Sequence, residues 1–178
     1  MVDTGRAAIL LAARRAFALQ PYAAVTLRGI AADAGVSASL IVKHFGSKEL
    51  LFDAVADFST AATQLLDAPN DQLGRHAVLT LVRSRRRHNS DLLLRVVFAA
   101  GSGDERALLR ERFRDQVISQ VAERLQGQTK DLRAELFAAQ LLGLGAVMAI
   151  DKQGPAATAT PEQIADLYAP ALQSLVNP

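Results

Sequence analysis

Residues 25–50, VTLRGIAADAGVSASLIVKHFGSKEL, contain four hydroxyl side chains and three cationic ones, Arg28, Lys43 and Lys48, which could hydrogen-bond to an anionic partner and neutralise it. The residues for covalent chemistry are scarce. The chain has no cysteine and only three histidines (His44, His76 and His88), and no pair of His or carboxylate residues has a metal-binding spacing supported by further ligands. We therefore expect non-covalent recognition, with no catalytic residue, no metal and no cofactor.

Helix-capping and turn residues in this segment predict two short helices joined by a tight turn. Thr26 is a suitable N-cap, because its hydroxyl can accept a hydrogen bond from a backbone N–H of the first turn. Gly35 stands where a left-handed residue would end that helix, and Ser37 can cap the next one. The spacing i, i+3, i+4 and i+7 predicts one buried face on the first helix, formed by Leu27, Ile30, Ala31 and Ala34.

The second helix has one apolar face and one small or cationic face. Ile41 and Phe45 are four residues apart and are expected to pack inward together. The opposite side can then approach a DNA groove and carries Ala38, Ser39, Val42 and Lys43. This arrangement predicts a helix-turn-helix that binds DNA.

The distribution of charge also favours DNA binding by this segment. Residues 1–50 contain six Lys/Arg and three Asp/Glu, a net charge of +3, whereas the other residues contain 14 Lys/Arg and 15 Asp/Glu, a net charge of −1. A protein gains much of its affinity for DNA by neutralising phosphates and releasing their counterions, which requires a positive surface.

The rest of the chain also has a helical pattern, and strand-like alternation is absent. The sequence predicts an all-α protein of about nine helices, with a three-helix head at residues 1–47 and a helical body at residues 48–178. The fourth helix, capped by Ser47, is expected to continue to about Leu66 and to join head and body without a flexible linker. A sixth helix is expected at residues 91–100. The ninth starts at Thr160 with a capping box, and Pro170 is expected to kink or end it.

Apolar side chains in the body form a stripe that is typical of a core and equally of a ligand pocket. The residues that could line a pocket for a small molecule are Phe58, Leu79, Val97, Phe98, Phe113 and Val117.

The eighth predicted helix is apolar on all sides. Residues 136–150, LFAAQLLGLGAVMAI, include one polar side chain, Gln140. Such a helix must be covered all round, so one face is expected on the core and another on a partner subunit, with burial inside a single chain as the alternative. The residues expected at a two-fold interface with the ninth helix are Leu141, Leu144, Gly145, Met148, Leu167 and Ala171.

The densest run of positive charge is RSRRRH at residues 83–88. We interpret it as a solvated helix end whose arginines pair with acidic residues such as Glu111 and Asp115. Binding of an anionic effector is the alternative.

The head resembles that of the TetR family of bacterial transcriptional repressors. The resemblance covers about the first 55 residues and rests mainly on AGVS at 34–37 followed by HFGSKEL at 44–50. It implies a two-fold dimer, an operator of roughly palindromic half-sites, and a C-terminal domain that binds an effector and dimerises. The chain departs from the family at Leu40, where a small hydroxyl residue is usual, and at Val42, where an aromatic residue, often Tyr, is usual.

The resemblance also implies two kinds of DNA contact. The phosphate or backbone anchors would be Thr26, Ser37, His44 and Lys48. The groove readers would be Arg28, Ala38, Ser39, Val42 and Lys43. His44 could instead brace the end of its helix, and Val42, which cannot donate a hydrogen bond, could contact a thymine methyl group.

We therefore predict a ligand-responsive transcriptional regulator, most simply a repressor, that binds a palindromic operator on double-stranded DNA as a homodimer and is released by an unknown small-molecule effector. The alternative is an all-α module that binds a small molecule or a protein and has a degenerate DNA-binding head. No run reaches the roughly 20 uninterrupted apolar residues of a membrane span, and Arg14 and Arg15 interrupt any signal peptide, so we expect a cytoplasmic protein without membrane contact.

Overall fold

The computed structural model describes residues 4–20, 22–88 and 103–178, and all regular secondary structure in these ranges is helical. The prediction of an all-α protein is confirmed. The chain forms two compact units, one of Met1–Asp57 with Phe98–Arg110 and the other of Phe58–Val97 with Glu111–Pro178. The predicted helix at residues 91–100 lies outside the described residues, and the domain boundary placed after residue 47 stays a prediction.

The N-terminal part of the first unit contains the predicted helix-turn-helix and the helices that pack against it. Helix α1 packs against the three helices that follow it, and its apolar positions Ile9, Ala13 and Phe17 are buried. The elements in chain order are α1 (Thr4–Leu19), a 3-10 turn (Tyr22–Ala24), α2 (Leu27–Ala34), α3 (Ala38–Phe45) and α4 (Lys48–Val55).

The second unit is built mainly around the pairing of two 16-residue helices, α6 and α11, and contains helix α9 packed against both. Helix α7 begins in the first unit and continues through a π-helical turn, Arg114–Ile118, into α8 in the second. The elements are α5 (Ser59–Leu66), α6 (Leu73–His88), α7 (Gly103–Phe113), α8 (Ser119–Arg124), α9 (Lys130–Ile150), α10 (Pro155–Thr158) and α11 (Pro161–Val176).

The prediction of one long fourth helix is wrong. Helix α4 ends at Val55, and α5 starts only at Ser59. Phe58 is the N-cap of α5 and offers no side-chain cap; its own backbone N–H donates to Oε1 of Gln116 at 2.6 Å. The helix is broken where a residue 58 positions away in sequence supplies a hydrogen-bond acceptor, and no local pattern reveals such a partner.

Helix α11 has the predicted capping box, but Pro170 does not end it. Thr160 Oγ1 accepts from the N–H of Gln163 at 3.1 Å, and Gln163 Oε1 accepts from the N–H of Thr160 at 2.8 Å. The helix then continues to Val176. Pro170 and Asp166, whose carbonyl loses its usual helical partner, are both exposed, so water can replace the missing hydrogen bond.

Helix α9 is long and apolar enough to cross a membrane by length and composition alone. Its most apolar 18-residue stretch has a mean hydropathy of 1.4, which a count of uninterrupted apolar residues overlooks. However, 44% of that stretch is buried inside the protein, and a single helix of this kind is weak evidence for a membrane span. Packing against α6, α8 and α11 accounts for much of its apolar character.

Candidate nucleic-acid interface

The turn between α2 and α3 has the three local features that the sequence predicts. Thr26 Oγ1 accepts from the N–H of Gly29 at 3.0 Å, and Ser37 Oγ accepts from the N–H of Leu40 at 3.2 Å. Gly35 has φ +66° and ψ +31°, the left-handed conformation that a side chain disfavours. The relative direction of the two helices is therefore held by contacts within a few residues of the turn.

Helix α3 buries one face and exposes the other, as predicted. Ile41 is completely buried and Phe45 almost completely. On the other side, Ser39, Val42 and Lys43 are exposed, while Ala38 is half-buried at the start of the helix. Exposure on this face is what a helix needs to reach into the major groove of DNA.

The outer face of α3 has few groups that can hydrogen-bond to bases. The hydroxyls of Ser37 and Ser39 are 2.9 Å apart and bond to each other, and Ser37 also accepts from the backbone of α3. Val42 is 49% exposed, and its side chain is purely apolar. Lys43, in the last turn, is the one Lys or Arg of the helix, which contains no acidic residue.

Lys48, expected to anchor a phosphate, has two partners within the protein. Its Nζ donates to the backbone carbonyls of Tyr22 at 3.0 Å and Val25 at 3.1 Å, and it lies 4.1 Å from the centre of the Tyr22 ring. An ammonium group has three N–H donors. Two of them tie the start of α4 to the segment before α2, which leaves one for a phosphate. The phosphate contact stays a prediction.

Tyr22 is a structural residue that the sequence reading missed. Its ring stacks on Phe17 and meets Phe52 edge-on, with centroid distances of 5.7 and 5.3 Å. Its hydroxyl donates to Oε1 of Glu49 at 3.0 Å. The pKa of Glu49 is lowered, first by a hydrogen bond from its own backbone N–H and then by the hydroxyls of Ser47 and Tyr22. No spacing rule predicts this cluster, because its members come from α1, the 3-10 turn and α4.

The remaining residues predicted to contact DNA differ in their solvent exposure. Arg28 is exposed in the first turn of α2. His44 is half-buried with its ring centroid 6.2 Å from that of Phe45, a position compatible with bracing the helix end. The guanidinium of Arg6 lies 5.3 Å from the centre of the same Phe45 ring on α3. DNA contact by Arg28 and His44 stays a prediction.

Two arginines of α1 interact with the protein itself. Arg15 pairs with Asp33 on α2 at 3.2 Å. Arg14 is half-buried, and burial lowers the pKa of its guanidinium while the charge of Asp57 acts in the opposite direction. The net charge of +3 already counts Asp33 against Arg15, so the burial of Arg14 is what reduces the positive charge available to a partner.

The candidate pocket residues divide into described and undescribed sets. Phe58, Phe113 and Val117 are buried and Leu79 is half-buried. The rings of Phe58 and Phe113 meet edge-on with centroids 5.7 Å apart. Val97 and Phe98 lie outside the described residues. The assignment to an effector pocket stays a prediction.

The candidate dimer residues do not share one surface. Leu141, Leu144, Gly145 and Met148 of α9 are buried within the chain, because this side of α9 faces its own core. Leu167 and Ala171 of α11 are exposed. The exposed side of α9 is a different apolar stripe, consisting of Leu132, Leu136, Ala139, Gly143, Val147 and Ile150.

Two arginines of the basic run on α6, Arg83 and Arg86, have partners other than those expected. Arg83 pairs with Glu162 on α11 at 2.9 Å, and Arg86 donates to the carbonyl of Ala159 just before that helix. Together with the 2.6 Å pair between Arg75 and Asp166, these contacts join α6 to the α11 region. The pairing proposed with Glu111 and Asp115 is therefore wrong for Arg83, since α11 packs alongside α6.

Sequence comparison matches both parts of the chain to one family. The model of bacterial regulatory proteins of the tetR family matches residues 9–55, and that of the tetracyclin repressor-like C-terminal domain matches residues 71–176. Curated relatives include an HTH-type transcriptional repressor from Mycobacterium tuberculosis and an HTH-type transcriptional regulator from Mycobacterium bovis. Each is 44% identical over 81 residues, which cover 42% of this chain and 43% of the relative, less than half its length.

Solved structures show the same fold. A TetR-family regulator from Streptomyces coelicolor A3 is 27% identical, with 99% of this chain and 97% of the other covered at a TM-score of 0.62. The fatty acid degradation regulator FadR from Bacillus halodurans is 16% identical, with 97% and 98% covered at a TM-score of 0.70, a likeness of fold alone.

The fold and the capped turn between α2 and α3 define an all-α helix-turn-helix protein with a helical C-terminal body. More specifically, the chain belongs to the TetR family of bacterial regulatory proteins. Members of this family are transcriptional regulators rather than enzymes.

Proposed function

We propose that this protein is a transcriptional repressor that binds double-stranded operator DNA through α3. The observation that carries the proposal is the outer face of α3, where exposed Ser39, Val42 and Lys43 stand on a helix without acidic residues, held by two side-chain caps and a left-handed glycine. A helix of this kind can approach phosphates without charge repulsion and can place small side chains against base edges.

The proposal includes a homodimer that uses the exposed side of α9. Val147 and Ile150 are 55% and 74% exposed, and Leu167 on α11 is 87% exposed. Gly143 lies on the same stripe of α9, and a Cβ placed there would meet nothing within 4 Å. Exposed large apolar side chains along one helix are costly in water unless another surface covers them. A glycine on that stripe would let a second helix approach closely.

The oligomeric state tests this interface directly. Ile150→Glu places a charge on the stripe without disturbing the core, and we expect it to convert a dimer into a monomer in sedimentation or light-scattering measurements. Leu50→Glu is the matched control, because Leu50 is 56% exposed but lies on α4. A parent protein that is monomeric at micromolar concentration, or an Ile150→Glu variant that stays dimeric, would contradict the proposed interface.

A dimer would present two copies of α3 to DNA. Two half-sites in successive major grooves lie about 34–36 Å apart, so the operator would be roughly palindromic with half-sites one helical turn apart or a multiple of it. A protein that acts on the bacterial chromosome would work in the cytoplasm.

We further propose that a small-molecule effector binds the body and lowers operator affinity. The buried Phe58, Phe113 and Val117 and the half-buried Leu79 are the described residues that such a ligand would contact. Val97 and Phe98 belong to the proposed set on their sequence alone. Because the coupling of two binding sites is reciprocal, operator DNA would weaken effector binding by the same factor.

DNA binding is tested by fluorescence anisotropy with duplexes from the protein's own promoter region and with scrambled duplexes of the same composition, at several salt concentrations. We expect tighter binding to the promoter duplex and, because each dimer carries two copies of Lys43, a salt slope that becomes shallower by about 1.8 when Lys43 is replaced by Ala. Equal affinity for both duplexes would favour the alternative function, an all-α binding module with a degenerate head. The scarcity of hydrogen-bonding groups on α3 is the observation that favours this alternative.

A further inference from the structure

Val42 is the most exposed large apolar side chain of α3. It is 49% accessible, whereas Ile41 and Phe45 of the same helix are buried. It lies one helical turn after Ala38, so the two residues share a face. Together they present an apolar surface at the place where a helix-turn-helix meets base edges.

We propose that Val42 is a specificity-determining residue that recognises the C5-methyl group of one thymine in each operator half-site. This inference rests on the proposed DNA-binding function and names the feature of the DNA that α3 reads. In the major groove the thymine methyl is the apolar group that distinguishes one natural base from the others.

The chemistry of the neighbouring residues supports methyl recognition over polar readout at this position. Ala38 has no polar side-chain atom, and Ser39, whose hydroxyl bonds with that of Ser37 at 2.9 Å, is the neighbour on this face that keeps hydrogen-bonding capacity. A valine placed against a cytosine amino group or a guanine carbonyl would remove that group from water without offering it a hydrogen bond, which is unfavourable. Val42 would therefore favour thymine and disfavour the polar edges of the other bases.

The geometry of valine also suits this role. A β-branched side chain on a helix has essentially one χ1 rotamer, so little freedom is lost when its methyl groups are placed against a base. The two ends of α3 are held by Ser37 and by Gly46, whose N–H donates to the carbonyl of Val42 at 2.8 Å. Side chain and backbone are thus both fixed before DNA binds.

The experiment begins with duplexes selected by the purified protein from a random library. Each thymine in the selected sequence is then replaced singly by deoxyuridine, which lacks only the methyl group. We expect one thymine per half-site at which the replacement weakens binding about fourfold, the value of one buried methyl group. At that position a cytosine should bind more weakly than 5-methylcytosine, because methylation restores the apolar group.

A variant assigns the effect to the residue. Val42→Ala should bind the thymine duplex several-fold more weakly than the parent and should no longer distinguish thymine from deoxyuridine at that position. Leu11→Ala is the matched control, since Leu11 is an aliphatic residue of α1 that is 38% exposed; it should keep the full deoxyuridine effect.

The outcomes separate the two hypotheses. If a sequence is selected but no thymine responds to deoxyuridine, or if Val42→Ala responds as strongly as the parent, the methyl-recognition proposal is overturned and the DNA-binding function stands. If no sequence is selected above background, the proposed function itself fails, and methyl recognition with it.

Discussion

Replacing Lys48 by Met should destabilise the first unit more than it alters the charge presented to DNA. Methionine retains an unbranched apolar side chain and removes the ammonium group, which leaves the carbonyls of Tyr22 and Val25 without their donor. Hydrogen bonds to charged groups contribute about 1.5–3 kcal/mol each when buried. Since both bonds here are part-buried, we expect a total loss of about 2 kcal/mol, including the cation–π contact with Tyr22.

The loss can be measured in a thermal melt followed by circular dichroism. About 2 kcal/mol corresponds to a fall in Tm of roughly 4–8 °C for a protein of this size. Lys43→Met is the matched control, because Lys43 is exposed on α3; its effect on stability should stay within about 0.5 kcal/mol. In DNA binding the order is reversed, and Lys43→Met, which removes two cations from each dimer, should reduce the salt slope by about 1.8.

The comparison of the two variants can refute the reasoning. An unchanged Tm for Lys48→Met, together with a reduction in salt slope as large as that of Lys43→Met, would mean that the ammonium of Lys48 is engaged by phosphate rather than by the two carbonyls. A lower Tm for Lys48→Met than for Lys43→Met, together with a smaller change in its salt slope, supports the assignment of Lys48 as a structural clamp.

Three further predictions concern local features of the fold. Gln116→Ala removes the acceptor for the backbone N–H at the start of α5 and should lower the free energy of unfolding by about 1–2 kcal/mol in urea titrations, whereas Gln120→Ala should change it by less than about 0.5 kcal/mol. Gly35→Ala meets no neighbouring atom within 4 Å, yet it should cost about 1 kcal/mol in the same assay because φ is positive; a neutral result would mean that the left-handed turn is not required. The pKa of Glu49 is lowered in the folded state, so the stabilising effect of its carboxylate is present above the usual pKa of 4.5 and is lost as the pH falls through the lower folded value. Below about pH 4.5 the free energy of unfolding of Glu49→Gln should therefore decline less steeply than that of the parent. Parallel declines would contradict this.

Several functional features were predictable because their causes are local. Thr26, Ser37 and Gly35 act on backbone groups within four residues, so their types and spacing were sufficient to place α2 and α3. The inward packing of Ile41 and Phe45 follows from helical periodicity in the same way. The capping box of Thr160 and Gln163 is another example.

Other features depended on partners distant in sequence. Periodicity indicated that α9 needs cover on every side, but it could not tell which side the chain itself would cover; the structure buries Leu144 and Met148 and exposes Val147 and Ile150. A helix that is apolar all round has no polar face to fix its rotation, so only the positions of its neighbouring helices decide which residues remain for a partner.

By itself, the sequence determined that this chain carries a helix-turn-helix on an all-α scaffold, because caps, glycine turns and helical periodicity are short-range properties of the chain. Only the tertiary structure decided that Lys48 holds two backbone carbonyls, that Gln116 supplies the acceptor at the break between α4 and α5, and that α9 buries Leu144 and Met148 and leaves Val147 and Ile150 exposed. The reason is physical: the same lysine, glutamine or apolar helix face has several possible partners in an isolated segment, and packing of distant helices selects one of them.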